Sequence, residues 1–175
     1  MGDSSGGNIA LVLAIYAASA YLQEIAENAQ GSICPVESIL VISPATDLRN
    51  ENPQIDVINT KDPILSRKTI EEVASGWAGE WSLSNPKISP ILADLELLKR
   101  ANIKVDGVTA GHDVLGPDAI LFRKRLDKCG VRGDWLDWDR QVHCFPLMFS
   151  YHVREGIEGK DWIVKILSSN FDLKA

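Results

Sequence analysis

The pattern of apolar and polar positions along the chain predicts an alternation of helices and strands. Residues 8–28 are apolar on nearly every face of a helix, which favours a long buried helix that ends before Gly31. Residues 37–43 form a short run rich in β-branched side chains that ends at Pro44, as a buried strand does. The other predicted elements are strands at 103–110 and 131–138 and helices at 66–79, 117–129 and 157–169.

The order of these elements is typical of the α/β class. Helix, strand, long insert, strand, helix, strand and helix follow one another, and this alternation predicts a mostly parallel sheet with helices on both faces. The whole chain, 1–175, has the length of one domain. The insert at 45–98 is longer than an ordinary connection, so we expect it to form a lid-like or binding element.

Composition and charge indicate which binding partners, cofactors and location to expect for this protein. The formal net charge of −6 gives no basic footprint, so no nucleic-acid partner is expected. The sequence contains no run of about 18 apolar residues, so we expect no integral membrane segment. Cys34, Cys129 and Cys144 have no metal-ligand spacing and fit reduced thiols, which favours a cytoplasmic location. No phosphate-binding loop or dinucleotide motif is present, so neither a metal nor a cofactor is expected.

The first residues contain the pattern G-x-S-x-G, centred on Ser4. In a nucleophile elbow such a serine lies on a sharp turn between a strand and a helix. Gly2 and Gly6 would let neighbouring backbone approach closely, and the backbone N–H of Ser5 would face a developing oxyanion at the N-terminus of the helix. The alternative interpretation is a flexible glycine–serine segment at the start of the chain.

A nucleophilic serine needs a histidine as its base and an acid that orients the histidine. In folds that carry a nucleophile elbow, the acid follows the serine in the sequence and the histidine follows the acid. Asp113 follows the strand predicted at 103–110, and His143 follows the strand predicted at 131–138. His112 would point away from its neighbouring acid, and His152 is predicted to lie on the surface of a helix. Taken singly, Asp113 could be a turn residue and His143 an ordinary loop histidine, but the order of all three favours a Ser4–Asp113–His143 triad.

Four motifs together resemble the hormone-sensitive-lipase-like branch of the α/β-hydrolases over nearly the whole chain. They are Gly2-Asp3-Ser4-Ser5-Gly6-Gly7-Asn8, close to G-D-S-A-G-G-N; Ser43-Pro44-x-x-Asp47-Leu48; Asp113-Val114-Leu115 with Asp118; and His143-Cys144-Phe145, close to H-G-F.

The resemblance implies a carboxylic-ester hydrolase that works through an acyl-enzyme on a small-molecule ester. Ser4 would attack the carbonyl, His143 would carry the proton, and Asp113 would hold the imidazole. The insert would help to enclose the substrate, and Leu65, Trp77 and Phe145 are the candidate pocket residues.

The sequence departs from that branch ahead of the nucleophile. Only Met1 precedes Gly2, so the H-G-G-G segment that supplies oxyanion donors in the branch has no counterpart in this sequence. The strand that leads into the elbow and the strands before it are also expected to be missing. We therefore expect a C-terminal portion of the fold whose activity is weak or absent. The alternatives are a non-catalytic ligand-binding or interaction protein on a hydrolase scaffold, and a homodimer or second chain that supplies the missing half.

Overall fold

The computed structural model of the chain describes residues 1–27 and 33–172, and the predicted helix end at Gly31 lies outside the described residues. The strands are β1 Gly2–Asp3, β2 Ser38–Ile42, β3 Lys104–His112 and β4 Trp135–Val142. The helices are α1 Ser4–Glu27, α2 Gln54–Asn59, α3 Arg67–Ala78, α4 Glu96–Arg100, α5 Gly116–Cys129 and α6 Arg154–Asp172, with short 3-10 helices at Pro90–Leu92 and Phe145–Tyr151.

Within the described residues, four strands form one parallel sheet in the order β1-β2-β3-β4. Successive side chains of a strand point to opposite faces, and both faces of β2 are buried. Val41 faces a cluster that includes Leu11 of α1 and Phe122 of α5. Ile42 faces the other cluster, where Ile163 of α6 packs. The predicted α/β architecture with helices on both faces of a parallel sheet is therefore confirmed.

The strand that leads into the elbow was expected to be missing, and this prediction was wrong. Gly2 and Asp3 form the short strand β1, which pairs in parallel with Val41 and Ile42. Two residues are too few to show an alternating pattern, so only the register against β2 reveals the strand. Its position brings the elbow to the carboxyl end of the sheet.

The last strand is displaced along the sequence from its predicted position at 131–138. It begins at Trp135 and ends at Val142. The carbonyl oxygens of Arg132 and Asp134 already accept hydrogen bonds from β3, so pairing begins inside the predicted range. It ends later than predicted because the polar residues 139–141 still lie beside β3, where the register shifts between Ala110 and His112. The residue after β4 is therefore His143.

The segment between β2 and β3 contains α2, α3 and α4. Helix α3 matches the prediction at 66–79 within one residue at each end. Ser66 caps it by accepting a hydrogen bond from the Thr69 N–H at 3.1 Å, and Ile70 and Ala74 are buried on its inner side. This insert lies beside the elbow because the N–H of Ala45 binds the carbonyl oxygen of Ser4.

By length and composition alone, α1 could cross a membrane, although no apolar run of that length was expected. Core helices of α/β proteins pass the same test. Leu11, Ala14 and Ala18 of α1 pack against the sheet, and its first residue belongs to the candidate site described below. One side of α1 therefore packs in the core, whereas Ile9, Leu13 and Tyr16 on its other sides are half or more exposed, so the predicted burial of this helix on nearly every face was wrong.

Candidate active site

Ser4 lies at the junction between β1 and α1 with its backbone in the left-handed region, at φ 51°. A residue with a Cβ adopts this conformation only where the surrounding structure enforces it. Here the carbonyl oxygen of Ser4 accepts a hydrogen bond from the N–H of Ala45 at 3.2 Å. The turn therefore projects the hydroxyl from the end of the sheet.

Glycine is required at Gly2 because the first turn of α1 folds back on it. A Cβ on Gly2 would lie 2.2 Å from the carbonyl oxygen of Gly6. Gly6 had been expected to be needed for the same reason, but a Cβ there would meet no atom within 4 Å. The second tight approach is at Gly7, where a Cβ would lie 3.0 Å from Pro44. The close contacts therefore involve Gly2 and Gly7.

Asn8 is a buried polar side chain that sequence reasoning missed. Its Nδ2 donates hydrogen bonds to the carbonyl oxygens of Ala45 at 2.7 Å and of Ile88 at 2.8 Å. These bonds tie the second turn of α1 to the first residue of the insert and to a segment ahead of α4. An asparagine inside the apolar run of a buried helix was the available signal, because such a group needs partners.

The structure brings Asp113 and His143 together although 30 residues separate them in sequence. Asp113 follows β3, is fully buried, and places its Oδ2 at 3.0 Å from Nδ1 of His143. Its other oxygen, Oδ1, accepts a hydrogen bond from the N–H of Leu115 at 3.0 Å. The acid is thus held by its own loop and aimed at the imidazole.

The opposite nitrogen of the same ring meets the serine. Nε2 of His143 lies 3.0 Å from Oγ of Ser4, across 139 residues of sequence. Ser4, His143 and Asp113 therefore form a continuous hydrogen-bonded chain. A hydroxyl, an imidazole and a buried carboxylate in this arrangement can generate a nucleophilic alkoxide and carry its proton.

Cys144 is a second residue that sequence reasoning missed. Its Sγ lies 3.5 Å from Nε2 of His143, the nitrogen that also meets Ser4. Its backbone has φ 52°, a region that favours glycine, and its N–H donates to Oγ of Ser43 at 3.1 Å. The departure from H-G-F at this position was the signal that the sequence offered.

The surroundings of His143 change its basicity. Burial by itself lowers the pKa of His143, but the hydrogen bond with Asp113 and the neighbouring Cys144 outweigh it, so the pKa lies well above the ordinary value of 6.5. The imidazole is therefore a stronger base than a free histidine.

Ser5 is placed for a role in binding an oxyanion. It lies in the first turn of α1, where backbone N–H groups have no partner within the helix and the helix dipole is positive. It also lines the cavity beside Ser4. A developing negative charge next to Ser4 can therefore meet the N–H of Ser5.

An apolar cavity of about 110 Å³ opens beside Ser4. Leu65 and Trp77, both predicted to line a pocket, lie in its wall. Further apolar wall residues, which the sequence did not single out, are Ile70, Val73 and Ala74 of α3, and Leu115.

Phe145 does not lie in this cavity. It is fully buried and packs edge-on against Trp138 at 5.4 Å between ring centroids, within the cluster under α6. The prediction that Phe145 lines the pocket was therefore wrong. The chain turns into a 3-10 helix at this residue, which directs its side chain into the core.

The two other histidines remain outside the triad. His112 is the last residue of β3, and His152 is exposed and ends the 3-10 helix Phe145–Tyr151 with φ 58°. His152 therefore lies on the surface as expected, at the end of a 3-10 helix. Within residues 1–27 and 33–172, no group of three or more His, Cys, Asp or Glu side chains could hold a metal ion.

Comparison with known proteins shows what this chain is similar to. A model of a protein family whose description is "alpha/beta hydrolase fold" matches residues 1–147 of this chain. A Staphylococcus aureus protein described as a candidate esterase is 26% identical with a TM-score of 0.76, over 95% of this chain and 51% of that one. DphMB1 is 25% identical with a TM-score of 0.75, over 92% of this chain and 48% of that one. The chain spans about half the length of these structures.

A third structure shows the fold alone, because its sequence is more distant. EstE7, described as an HSL homologue from a metagenome library, is 20% identical with a TM-score of 0.73, over 95% of this chain and 52% of that one. Among curated proteins, none matches this chain.

Proposed function

This chain belongs to the α/β-hydrolase fold family, and we propose that it takes part in the hydrolysis of carboxylic esters through an acyl-enzyme on Ser4. The observation that carries the proposal is the chain of two 3.0 Å hydrogen bonds from Ser4 through His143 to Asp113. A hydroxyl needs such a base to become nucleophilic near neutral pH. Solved structures of similar fold include one that is described as a candidate esterase.

The reaction proceeds in two halves. Oγ of Ser4 attacks the ester carbonyl while its proton moves to Nε2 of His143, and the tetrahedral intermediate then collapses as His143 protonates the leaving alcohol. Water next attacks the acyl-enzyme, gives its proton to His143, and releases the carboxylic acid when that proton returns to Ser4. Asp113 keeps Nδ1 of the ring protonated and stabilises the imidazolium that forms twice in each cycle.

The negative oxygen of each tetrahedral intermediate is stabilised at the start of α1. The Ser5 N–H and the positive end of the helix dipole supply this stabilisation within the chain. Each oxyanion donor contributes about 10²–10³ in rate. Further donors from another polypeptide segment, as the H-G-G-G segment provides in the hormone-sensitive-lipase-like branch, would raise the rate accordingly.

We propose that the substrates are small uncharged esters with a short acyl or alcohol chain. The cavity beside Ser4 is lined mainly by apolar side chains of the insert, and a volume of about 110 Å³ accommodates a few methylene groups. The insert thus acts as a lid-like wall. In apolar pockets each methylene group is worth about 1–3 kcal/mol of discrimination, so the wall sets the chain-length preference.

Hydrolysis of p-nitrophenyl esters from acetate to decanoate tests this proposal. We expect Ser4-dependent release of p-nitrophenol that is fastest for short chains. Replacement of Trp77 by alanine removes part of the wall, so the ratio of kcat/KM for octanoate to that for butyrate should rise about tenfold.

Trp81→Ala is the matched control for this variant. Trp81 belongs to the same insert but is half exposed and lines a different groove, beside α1. It should leave the chain-length ratio unchanged. The same ratio in wild type and Trp77→Ala would contradict the assignment of the cavity, and no hydrolysis of any ester would contradict the proposed function.

The pH profile of hydrolysis should reflect the environment of His143. The base is active when neutral, and its pKa is raised, so kcat/KM should increase with pH along a limb centred above pH 6.5. Replacing Cys144 with glycine removes a group that raises this pKa and also suits φ 52°, so the limb should move toward lower pH.

A variant that lacks a distant thiol serves as the control for this measurement. Cys34 lies in the loop before β2 and packs against the cluster under α1, so Cys34→Ala should leave the limb in place. A wild-type limb at or below pH 6.5, or an unshifted limb in Cys144→Gly, would contradict the described environment of His143.

A further inference from the structure

A carboxylate of the insert contacts the loop that carries the catalytic acid. Asp62 lies in the turn between α2 and α3, 52 residues before Val114. Its Oδ2 accepts a hydrogen bond from the Val114 N–H at 2.9 Å. Val114 directly follows Asp113, so this bond fixes the backbone next to the acid.

The other oxygen of the same carboxylate holds the wall of the cavity. Oδ1 of Asp62 accepts hydrogen bonds from the N–H groups of Ile64 at 2.8 Å and Leu65 at 2.9 Å. Leu65 lines the cavity beside Ser4. One side chain therefore binds three backbone N–H groups, two in the insert and one in the acid loop.

Apolar packing surrounds this junction. Val114 and Leu115 of the acid loop pack in one cluster with Ile55 of α2 and Ile70 of α3, and Leu65 lies against the same cluster. Hydrogen bonds to an ionised carboxylate are about twice as strong as neutral ones, and a partly buried site strengthens them further. The turn of the insert and the acid loop are therefore held as one unit.

The contact with Asp62 attaches the acid loop to the insert. Within the loop, the N–H of Leu115 donates to Oδ1 of Asp113, and the N–H of Gly116 donates to the backbone carbonyl oxygen of Asp113. These local bonds shape the loop but do not fix it relative to the rest of the site. The bond from Val114 to Asp62 supplies an attachment to the insert.

We propose that Asp62 is a positioning residue that holds the backbone of Val114 so that Asp113 stays aligned with Nδ1 of His143, and that it sets the position of Leu65 in the wall of the substrate cavity at the same time. The inference rests on the proposed function, because it concerns the alignment of that triad. Asp62 acts through its neighbours and does not touch the reacting atoms.

Asp62→Ala is the variant that tests this role, and Asp94→Ala is its control. Asp94 makes a similar local turn, in which its Oδ1 accepts a hydrogen bond from the Glu96 N–H at 3.0 Å, but it lies before α4. Misplacement of a catalytic group by about 1 Å can cost 10²-fold, so Asp62→Ala should lower kcat/KM for p-nitrophenyl butyrate by about ten- to a hundredfold. Asp94→Ala should keep the wild-type value.

The pH profile separates positioning from a general structural role. The hydrogen bond that Asp113 accepts from Nδ1 of His143 raises the pKa of His143, so looser alignment should move the limb of kcat/KM toward lower pH. A change in the fraction of folded protein would lower the rate without moving the limb. Asp62→Asn keeps the shape of the side chain and one acceptor oxygen, so it should shift the limb in the same direction even if Asp62→Ala does not fold.

Failure of the proposed function and failure of the role of Asp62 give different results. A wild-type protein without Ser4-dependent ester hydrolysis would overturn the proposed function. An active wild type whose folded Asp62 variants keep kcat/KM within about twofold, or lose rate with an unmoved limb, would overturn the role of Asp62 alone.

Discussion

Replacement of Ser4 by alanine is expected to lower kcat for ester hydrolysis by about 10⁶-fold, because the loss of a triad nucleophile alone costs roughly that much. In the proposed mechanism the hydroxyl forms the covalent intermediate, and its Oγ lies 3.0 Å from Nε2 of His143. Alanine keeps the Cβ, so the backbone at φ 51° and the packing of the elbow should be unchanged. Circular dichroism and thermal unfolding should therefore match the wild type, while turnover falls to the residual level.

The neighbouring serine provides a matched control. Ser5 is exposed and contributes its backbone N–H to the proposed oxyanion site, which alanine also has. Ser5→Ala should therefore retain kcat within about twofold of the wild type. Equal activity in Ser4→Ala and the wild type would remove Ser4 from the mechanism.

Replacement of Asp113 by asparagine is expected to lower kcat by about 10⁴-fold. Asparagine has nearly the same shape, but its amide cannot stabilise the imidazolium, and its N–H group can face Nδ1 and select the wrong tautomer of His143. Oδ2 of Asp113 lies 3.0 Å from that nitrogen, and the side chain is fully buried, so water cannot take over its role. The pKa of His143 should fall as well, because the hydrogen bond with Asp113 helps to raise it.

A buried aspartate nearby distinguishes this effect from the loss of any buried carboxylate. Asp118, in the first turn of α5, accepts a hydrogen bond from Asn52, and burial raises its pKa to about 6. Asp118 lies outside the triad, and asparagine keeps an oxygen that can accept the bond from Asn52, so Asp118→Asn should leave kcat nearly unchanged. A loss in Asp118→Asn as large as that in Asp113→Asn would show that the triad is not the cause.

The parts of this site that sequence could predict are those set by local pattern and chain order. Ser4, Asp113 and His143 were each placed by their relation to a strand or a helix, and the structure brings all three within hydrogen-bond distance. The helix α1 and the strand β2 could be predicted because a long apolar run and a β-branched run identify an element even when its ends are placed a few residues away. Their bounds shifted by a few residues without changing the site.

The parts that sequence could not predict depend on contacts between distant segments. The strand β1 is visible only through its register with β2, and the role of Asp62 only through its bond to Val114. Phe145 follows the triad histidine by two positions, yet the turn after β4 buries it under α6. Sequence proximity to a catalytic residue therefore did not predict which side chains line the cavity.

Covalent labelling with a fluorophosphonate directly tests whether Ser4 is a nucleophile that His143 activates. The reagent captures a serine hydroxyl that a neighbouring base has activated, and it needs no turnover. We expect one adduct per folded chain, mapped by peptide mass spectrometry to Ser4, absent in Ser4→Ala and strongly slowed in Asp113→Asn. A folded protein that acquires no adduct, or acquires it at another residue, would contradict the account.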